Sequence, residues 1–187
     1  MKPCVLASAS PRRKQLLEWA EVPFQIIVQP TDETYPPNLP AEEVAVFIAK
    51  QKLRTVQPQV SDGRTIIAAD TIVVLNNEII GKPKDREDAL SILRKLSGQT
   101  HQVITGVVLS DGAKEISFSD TTEVAFYILT EEQIIFYVDK YSPYDKAGAY
   151  AIQEWIGVIG IKSIKGDFFN VMGLPVSRVV QALQQFS

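Results

Sequence analysis

The chain has 187 residues, with 19 basic against 22 acidic side chains, a formal net charge of −3, one histidine and one cysteine. This length predicts a single domain over residues 1–187 that buries about 70% of the surface its unfolded chain exposes. A lone Cys4 excludes an internal disulfide, and a lone His101 leaves little scope for a histidine-built metal site. The acidic balance disfavours a nucleic acid polymer as partner.

Hydropathy gives no indication of a membrane partner. Apolar runs in the sequence stay well short of the roughly 18 residues that a membrane span needs. The apolar stretch at the start is also too short for a signal peptide. We therefore expect a soluble protein of the cytoplasm.

The first half of the chain alternates short apolar runs with helical patterns. A strand at 4–7 precedes Ser10, which fits the N-cap of a helix, and Pro11, which fits its first turn. That helix is expected to end near Ala20. The elements predicted after it are a strand at 24–28, a proline-rich loop at 29–40, a helix at 41–56 and strands at 65–75 and 78–80.

The second half begins with a capped helix that opens at Asp85. The elements predicted after it are a hairpin of strands 103–109 and 115–128, a helix opened by a capping box at Thr130 and Gln133, a strand at 155–164 and a helix at 175–186. His101 is expected to be an exposed strand residue. The apolar run 155–161 fits either a core strand or the interface of a homodimer. Crossovers and hairpins together favour an α/β fold with a mixed sheet.

Basic residues cluster near the N-terminus. Residues 1–14 contain four cations and no acid: Lys2, Arg12, Arg13 and Lys14. Arg12 and Arg13 fall in the first helical turn, where the helix dipole favours anions. A bound oligophosphate would reconcile this placement, with the Ser8 and Ser10 hydroxyls and the free N–H groups of the helix start as further partners. The alternative is a surface helix with solvated arginines.

Two further cationic segments are candidates for phosphate binding. Lys82 lies in the turn 81–85 between a strand and a helix start. On the helix 41–56, Lys50 and Arg54 share a face, whereas Lys52 points to another side. Each lysine taken alone is equally consistent with an exposed solubilising side chain.

Asp70 is the single charge within a long apolar strand. A buried carboxylate costs several kcal/mol unless it is paired, bound to a metal or open to a cleft. A structural aspartate bonded to backbone is the alternative. With Asp32 and Glu33 of the proline-rich loop, Asp70 could form an all-oxygen site of the kind that suits Mg²⁺ or Mn²⁺. Carboxylates and cations without histidine are typical of phosphoryl transfer rather than acyl transfer.

Five sequence motifs follow one another along the chain. They are SASPRR at 8–13, ADT at 69–71, GKP at 81–83, DKAGAY at 145–150 with Ile152 and Gln153, and GDFFNVMGLP at 166–175. Their order and spacing resemble the successive motifs of the Maf family over essentially the whole chain. One departure is Phe168–Phe169, where two tyrosines are common in that family.

The resemblance implies a nucleoside triphosphate pyrophosphatase, which cleaves between the α and β phosphates and releases pyrophosphate. It implies an elongated α/β fold: a mixed, twisted sheet flanked by helices, with two lobes around a deep nucleotide-binding cleft. That fold is related to the house-cleaning inosine triphosphate pyrophosphatases. Members use a divalent cation, Mg²⁺ or Mn²⁺.

Family roles transfer to matching positions of this chain. Asp70 is implied as the proton acceptor that activates water, and Ser8, Arg13, Lys52 and Lys82 as phosphate contacts. Glu33 and Asp70 are implied as metal ligands. The two roles of Asp70 compete, because a carboxylate bound tightly to a cation is a poor base.

The set Arg12, Thr71 and Gln153 matches the branch of the family that prefers dTTP and UTP. A glutamine amide offers one acceptor and one donor, which suits the N3–H and carbonyl edge of uracil or thymine. The alternatives are the same chemistry on 7-methyl-GTP, which the other main branch favours, and a nucleotide-binding regulator of cell division or septum formation.

Overall fold

The computed structural model describes residues 3–186, so Lys2 of the N-terminal cationic segment lies outside the described residues. The helices within this range are α1 (Pro11–Trp19), α2 (Ala41–Val56), α3 (Arg86–Leu96), α4 (Glu131–Tyr141), α5 (Trp155–Gly160), α6 (Phe168–Met172) and α7 (Val176–Leu183). The strands are β1 (Cys4–Leu6), β2 (Phe24–Ile26), β3 (Ile66–Leu75), β4 (Glu78–Ile80), β5 (Thr100–Ser110), β6 (Glu115–Phe126) and β7 (Ile161–Lys165).

These strands form one mixed sheet in the order β2-β1-β3-β5-β6-β7, with β4 paired to β3. Strand β1 runs parallel to β2 and to β3, which is the pairing that helical crossovers produce. The β3–β4 and β6–β7 pairs are antiparallel. The predicted α/β class with a mixed sheet is confirmed.

Helix starts follow their capping signals. The Ser10 and Asp85 side chains each accept a hydrogen bond from a backbone N–H of the first turn, in α1 and α3 respectively. Thr130 and Gln133 form the reciprocal capping box that opens α4. The proline-rich segment up to residue 40 carries no helix or strand after β2, as its composition predicted.

The strand predicted at 155–164 is wrong over its first half. Residues Trp155–Gly160 form α5, and only Ile161–Lys165 is strand. A short apolar run does not by itself distinguish a strand from a buried helix segment. Because this segment is helical, the alternative of a core strand at 155–161 is wrong as well: Ile156 of the helix is buried, whereas Val158 is 80% exposed. The short helix α6 lies in a motif for which the sequence suggested no helix.

The described residues group into two compact units. The first unit contains the described residues up to Thr71, then Thr105–Asp120 and the described residues from Gly173 onward. The second unit contains Ile72–Ile104 and Thr121–Met172. Strands β3, β5 and β6 contribute residues to both.

In the first unit, α1 and α2 cover opposite faces of the sheet. Right-handed connections in the strand order β2-β1-β3 require this arrangement. The buried cluster under α2 consists of Val5, Ala7, Ala49, Leu53, Val56, Ile66, Ala68 and Val108. Since strand side chains alternate, Asp70 falls on the face of Ile66 and Ala68, towards α2, and Thr71 on the face towards α1.

In the second unit, His101 is buried, and its expected exposure was wrong. The side chain is 1% exposed, and its Nε2 atom lies 2.7 Å from the hydroxyl of Tyr150. The two rings and Phe126 pack with centroids 5.0–5.5 Å apart. Burial lowers the pKa of His101 to about 4 and raises the pKa of Tyr150. Both side chains are therefore neutral core residues, because β5 lies between β3 and β6.

Candidate functional site

Asp70 is buried and paired rather than isolated. Its Oδ1 atom accepts a hydrogen bond from Lys52 Nζ at 2.6 Å, and the same Nζ atom lies 2.7 Å from Oε1 of Glu33. The Asp70 side chain is 11% exposed and that of Lys52 18%. One ammonium therefore lies between two carboxylates, which satisfies the condition that a buried charge must be compensated.

Local structure brings these three residues together. Asp70 faces α2 because it shares its side of β3 with Ala68, and Lys52 lies on the last turns of α2. Glu33 comes from the loop before α2, which Gln51 ties to the helix by donating its amide to the Thr34 carbonyl at 3.3 Å.

Asp32, the other candidate carboxylate of this loop, has a local partner. Its carboxylate accepts hydrogen bonds from the Thr34 backbone N–H at 2.9 Å and from the Thr34 hydroxyl at 3.0 Å. This turn geometry is common for aspartate in loops. Asp32 is exposed and its hydrogen bonds to Thr34 stay within the loop, whereas Glu33 is the residue of this pair that reaches Lys52.

Arg13 is anchored by three hydrogen bonds. Its guanidinium donates from Nε to the Gly173 carbonyl at 2.8 Å, from Nη1 to Ser8 Oγ at 3.1 Å and from Nη2 to Thr71 Oγ1 at 3.0 Å. The residue is 8% exposed, so the alternative of a solvated surface arginine is wrong for this position. Burial lowers the pKa of Arg13, and the nearby negative charge of Asp70 opposes that effect.

The partners of Arg13 are themselves fixed. Ser8 Oγ also accepts the backbone N–H of Ser10 at 3.2 Å, and the Thr71 and Thr105 hydroxyl oxygens lie 2.9 Å apart. Gly173 has φ +115°, a conformation that residues with a side chain rarely adopt. The arrangement gives one rigid cationic group whose hydrogen bonds join α1, β3 and the segment before α7.

Two participants were missed by the sequence analysis. Gly173 lies in the last of the five motifs, but its carbonyl had no predicted role. Thr105 carries no sequence signal, because a threonine in a strand is ordinary. Both become visible only through their contacts with Thr71 and Arg13.

The first unit thus brings together seven of the predicted residues: Ser8, Ser10, Arg13, Glu33, Lys52, Asp70 and Thr71. Arg12 lies beside them as the second residue of α1 and is half-buried. Lys50, two residues from Lys52, pairs instead with Glu115 at 3.0 Å. Lys82 and Gln153 belong to the second unit.

Both of these second-unit residues are exposed on ordered turns. Lys82 follows β4 in a turn whose Gly81 carbonyl accepts the Gly148 N–H at 3.1 Å and whose Pro83 is buried. Gln153 lies between the buried Ile152 and the partly buried Glu154.

The donor set of the first unit fits a hard divalent cation. Among the described residues, no group of three or more histidine, cysteine, aspartate or glutamate side chains is placed to hold a metal ion. Glu33 and Asp70 nevertheless converge on one cation position, which the Lys52 ammonium occupies. Mg²⁺ commonly takes only one or two carboxylates and completes its shell with phosphate oxygens and water. The pair is therefore suited to such an ion together with a phosphorylated ligand.

None of the helices described between residues 3 and 186 combines the length and the apolar character that crossing a membrane requires.

Comparisons with known proteins agree on one family. The family model described as Maf-like protein matches residues 3–186. The chain is 50% identical over 181 residues to the dTTP/UTP pyrophosphatase of Cytophaga hutchinsonii, covering 97% of this chain and 83% of that protein. It is 47% identical over 182 residues to the dTTP/UTP pyrophosphatase of Bacteroides fragilis, with 97% and 94% covered.

A solved structure shares the fold. The Staphylococcus aureus Ham1 protein superposes with a TM-score of 0.50 at 19% identity, covering 98% of each chain. Identity at this level supports the fold alone.

Proposed function

Because this chain belongs to the Maf family, we propose that it is a nucleoside triphosphate pyrophosphatase that hydrolyses dTTP and UTP to the monophosphate and pyrophosphate. The observation that carries the proposal is the buried Asp70 carboxylate, paired with Lys52 and Glu33 in the unit that also anchors Arg13. The names of the relatives support the choice of substrate.

In the proposed reaction, water attacks the α-phosphorus, a new P–O bond forms, and the bond to the α–β bridging oxygen breaks. Pyrophosphate leaves with the electron pair of that bond. Asp70 accepts the proton of the attacking water, a role that requires an ionised carboxylate in reach of the water. The hydrogen bond from the Lys52 ammonium is consistent with the ionised form.

The cations of the first unit balance the charge of the triphosphate. Arg13 is held rigidly, so its charge needs little reorganisation when a phosphate arrives. Lys52 is a flexible point charge that can move from the carboxylates towards a phosphate oxygen. We assign phosphate contacts also to Ser8 and Ser10 at the start of α1, and to Lys82 of the second unit.

We propose Mg²⁺ or Mn²⁺ as the cofactor, with Glu33 and Asp70 as the residues that would hold it. When bound, such an ion neutralises phosphate charge and orients the reacting groups. Asp70 would then serve both as a metal ligand and as the base. These two roles compete, because a carboxylate bound tightly to a cation is a poor base.

Base recognition is assigned to Arg12, Thr71 and Gln153. The Gln153 amide can accept the N3–H of uracil or thymine and donate to a neighbouring carbonyl. This pairing does not separate thymine from uracil, so both dTTP and UTP are substrates. Modified pyrimidine triphosphates with the same edge are substrates as well, which would suit a cytoplasmic house-cleaning enzyme.

The test is pyrophosphate release from a panel of standard and modified triphosphates, with Mg²⁺, with Mn²⁺ and with chelator. We expect dTTP and UTP to be hydrolysed fastest, and chelator to abolish the reaction. Faster hydrolysis of 7-methyl-GTP would contradict the pyrimidine preference. Tight binding of dTTP without pyrophosphate release in the presence of metal would contradict the enzymatic function and favour a nucleotide-binding regulator.

A further inference from the structure

The segment 151–154 of the second unit is a turn with one exposed side chain. The Glu154 N–H donates to the Ala151 carbonyl at 3.1 Å and closes the turn. Ala151 and Ile152 are each 4% exposed. Gln153 is exposed and stands between anchored neighbours.

A single tyrosine hydroxyl holds both ends of this turn. Tyr137, on α4, is fully buried, and its hydroxyl accepts the Ala151 backbone N–H at 3.1 Å. The same hydroxyl donates to Oε2 of Glu154. The two residues that flank the pair 152–153 are thus tied to one atom of a core helix.

Charge and close packing reinforce the turn. Lys146 Nζ, on a side chain 10% exposed, lies 3.6 Å from Oε1 of Glu154 and 2.8 Å from Asp145. Behind the turn, α5 approaches so closely that a Cβ atom on Gly157 would lie 1.7 Å from the Ile152 carbonyl oxygen. Only glycine fits at 157, and the backbone of Ile152 has no room to shift in that direction.

We propose that Tyr137 and Glu154 are positioning residues, which hold the backbone of Gln153 so that its amide meets the base edge of a pyrimidine nucleotide. This inference rests on the proposed function. A glutamine side chain loses much rotamer freedom on binding, and a backbone fixed in advance reduces the remaining cost of ordering. Neither positioning residue touches the nucleotide in this arrangement. They act through Gln153.

The test compares UTP with N3-methyl-UTP, which keeps the triphosphate and lacks the N3–H donor. Dissociation constants are measured by calorimetry in Asp70→Asn protein, so the readout does not depend on turnover. The readout is the dissociation constant of N3-methyl-UTP divided by that of UTP, called the ratio below. We expect this ratio to be well above one, and to fall close to one in Gln153→Ala. Tyr137→Phe is expected to lower the ratio by roughly 3- to 10-fold, a part of what one good bidentate contact contributes.

A double-mutant cycle separates positioning from general stability. In the Gln153→Ala background, Tyr137→Phe is expected to change the ratio no further. In Glu154→Gln the side chain still accepts from the Tyr137 hydroxyl, so the ratio should stay close to its original value. In Glu154→Ala the ratio should fall towards one. Tyr141→Phe is the matched control, because Tyr141 stacks on the Tyr137 ring at 5.0 Å and its change leaves both hydrogen bonds of the Tyr137 hydroxyl in place. Circular dichroism is used to check that each variant is folded.

Three outcomes would overturn the inference. The first is an unchanged ratio in Tyr137→Phe, and the second is an unchanged ratio in Gln153→Ala. The third is that Tyr137→Phe lowers the ratio as much in the Gln153→Ala background as it does when Gln153 is present. Failure of the proposed function is a different result. It would appear as wild-type protein that releases no pyrophosphate, while these binding ratios remain measurable.

Discussion

The Nζ atom of Lys52 lies 2.6 Å from Oδ1 of Asp70, where the end of α2 faces the apolar strand β3. Both side chains are largely shielded from solvent. Removing Lys52 would leave the Asp70 carboxylate without its compensating charge, which is destabilising for a buried group. Removing the charge of Asp70 leaves Lys52 still paired with Glu33. The same pair is therefore important for stability and, in the proposed function, for catalysis and cation binding in the first unit.

Replacing Asp70 with asparagine keeps the shape of the side chain and removes its ability to accept a proton. We expect a folded protein whose pyrophosphate release falls by roughly 10²- to 10⁴-fold, the usual contribution of a general base. Asp62→Asn is the control, since Asp62 is an exposed residue bonded to Arg64. Near-wild-type turnover in Asp70→Asn would exclude both roles assigned to Asp70.

Replacing Lys52 with methionine keeps the aliphatic stem and removes the ammonium that lies between Glu33 and Asp70. Without nucleotide, Mn²⁺ should then bind about tenfold more tightly, because the cation no longer competes with an internal positive charge. Pyrophosphate release should fall, since the proposed contact between Lys52 and a phosphate is lost. Mn²⁺ affinity can be followed by electron paramagnetic resonance.

The matched control for that experiment is Lys50→Met on the same helix, where the lysine pairs with Glu115 instead. It should leave Mn²⁺ affinity unchanged. Equal Mn²⁺ affinities for wild type and Lys52→Met would show that Glu33 and Asp70 do not form the cation site.

Arg13→Lys tests the three hydrogen bonds of the guanidinium. An ammonium cannot reproduce the planar fork that reaches Gly173, Ser8 and Thr71, so buried acceptors lose their donors. We expect the free energy of unfolding to fall by about 2–4 kcal/mol. Arg64→Lys, a change at a surface ion pair with Asp62, should cost less than about 1 kcal/mol. Urea titrations measure both, and similar small losses would argue against the anchoring role.

His101 makes stability depend on pH. Its pKa is about 4 in the folded protein against an ordinary value of 6.5, so the unfolded chain binds more protons between these values. Stability should therefore be fully present above pH 6.5 and decline as the pH falls towards 4, by about 3 kcal/mol at most from this residue. We expect the free energy of unfolding of His101→Gln to decline less steeply than that of the wild type as the pH is lowered from 7 to 4.5. Parallel curves for the two proteins would contradict the buried, neutral state.

Local signals in the sequence were sufficient wherever neighbours in the chain determine the structure. The cap at Asp85 and the capping box at Thr130 and Gln133 depend on hydrogen bonds within one helical turn. The long apolar run of β3 marked Asp70 as a charge that needs compensation, because an unpaired buried carboxylate is costly in any fold.

Local signals failed where packing decides. The run 155–160 is apolar enough for a strand, but the close approach of Gly157 to the Ile152 carbonyl belongs to a helix that folds back on the preceding turn. His101 looked exposed because polar residues flank it, whereas its strand lies between two others in the sheet. Neither the close approach of Gly157 nor the central position of this strand can be read from local composition.

By itself, the sequence determined the fold class and the family, and it supplied the charged residues to which the proposed chemistry is assigned, since motif order and residue type are properties of the chain. Only the tertiary structure decided how those charges are used. It gave Asp70 its compensation through Lys52 and Glu33, and it anchored Arg13 on Gly173 and Thr71. The physical reason is that hydrogen bonds and ion pairs need distances of about 3 Å, and segments far apart in the chain reach such distances only when the sheet and its helices are assembled.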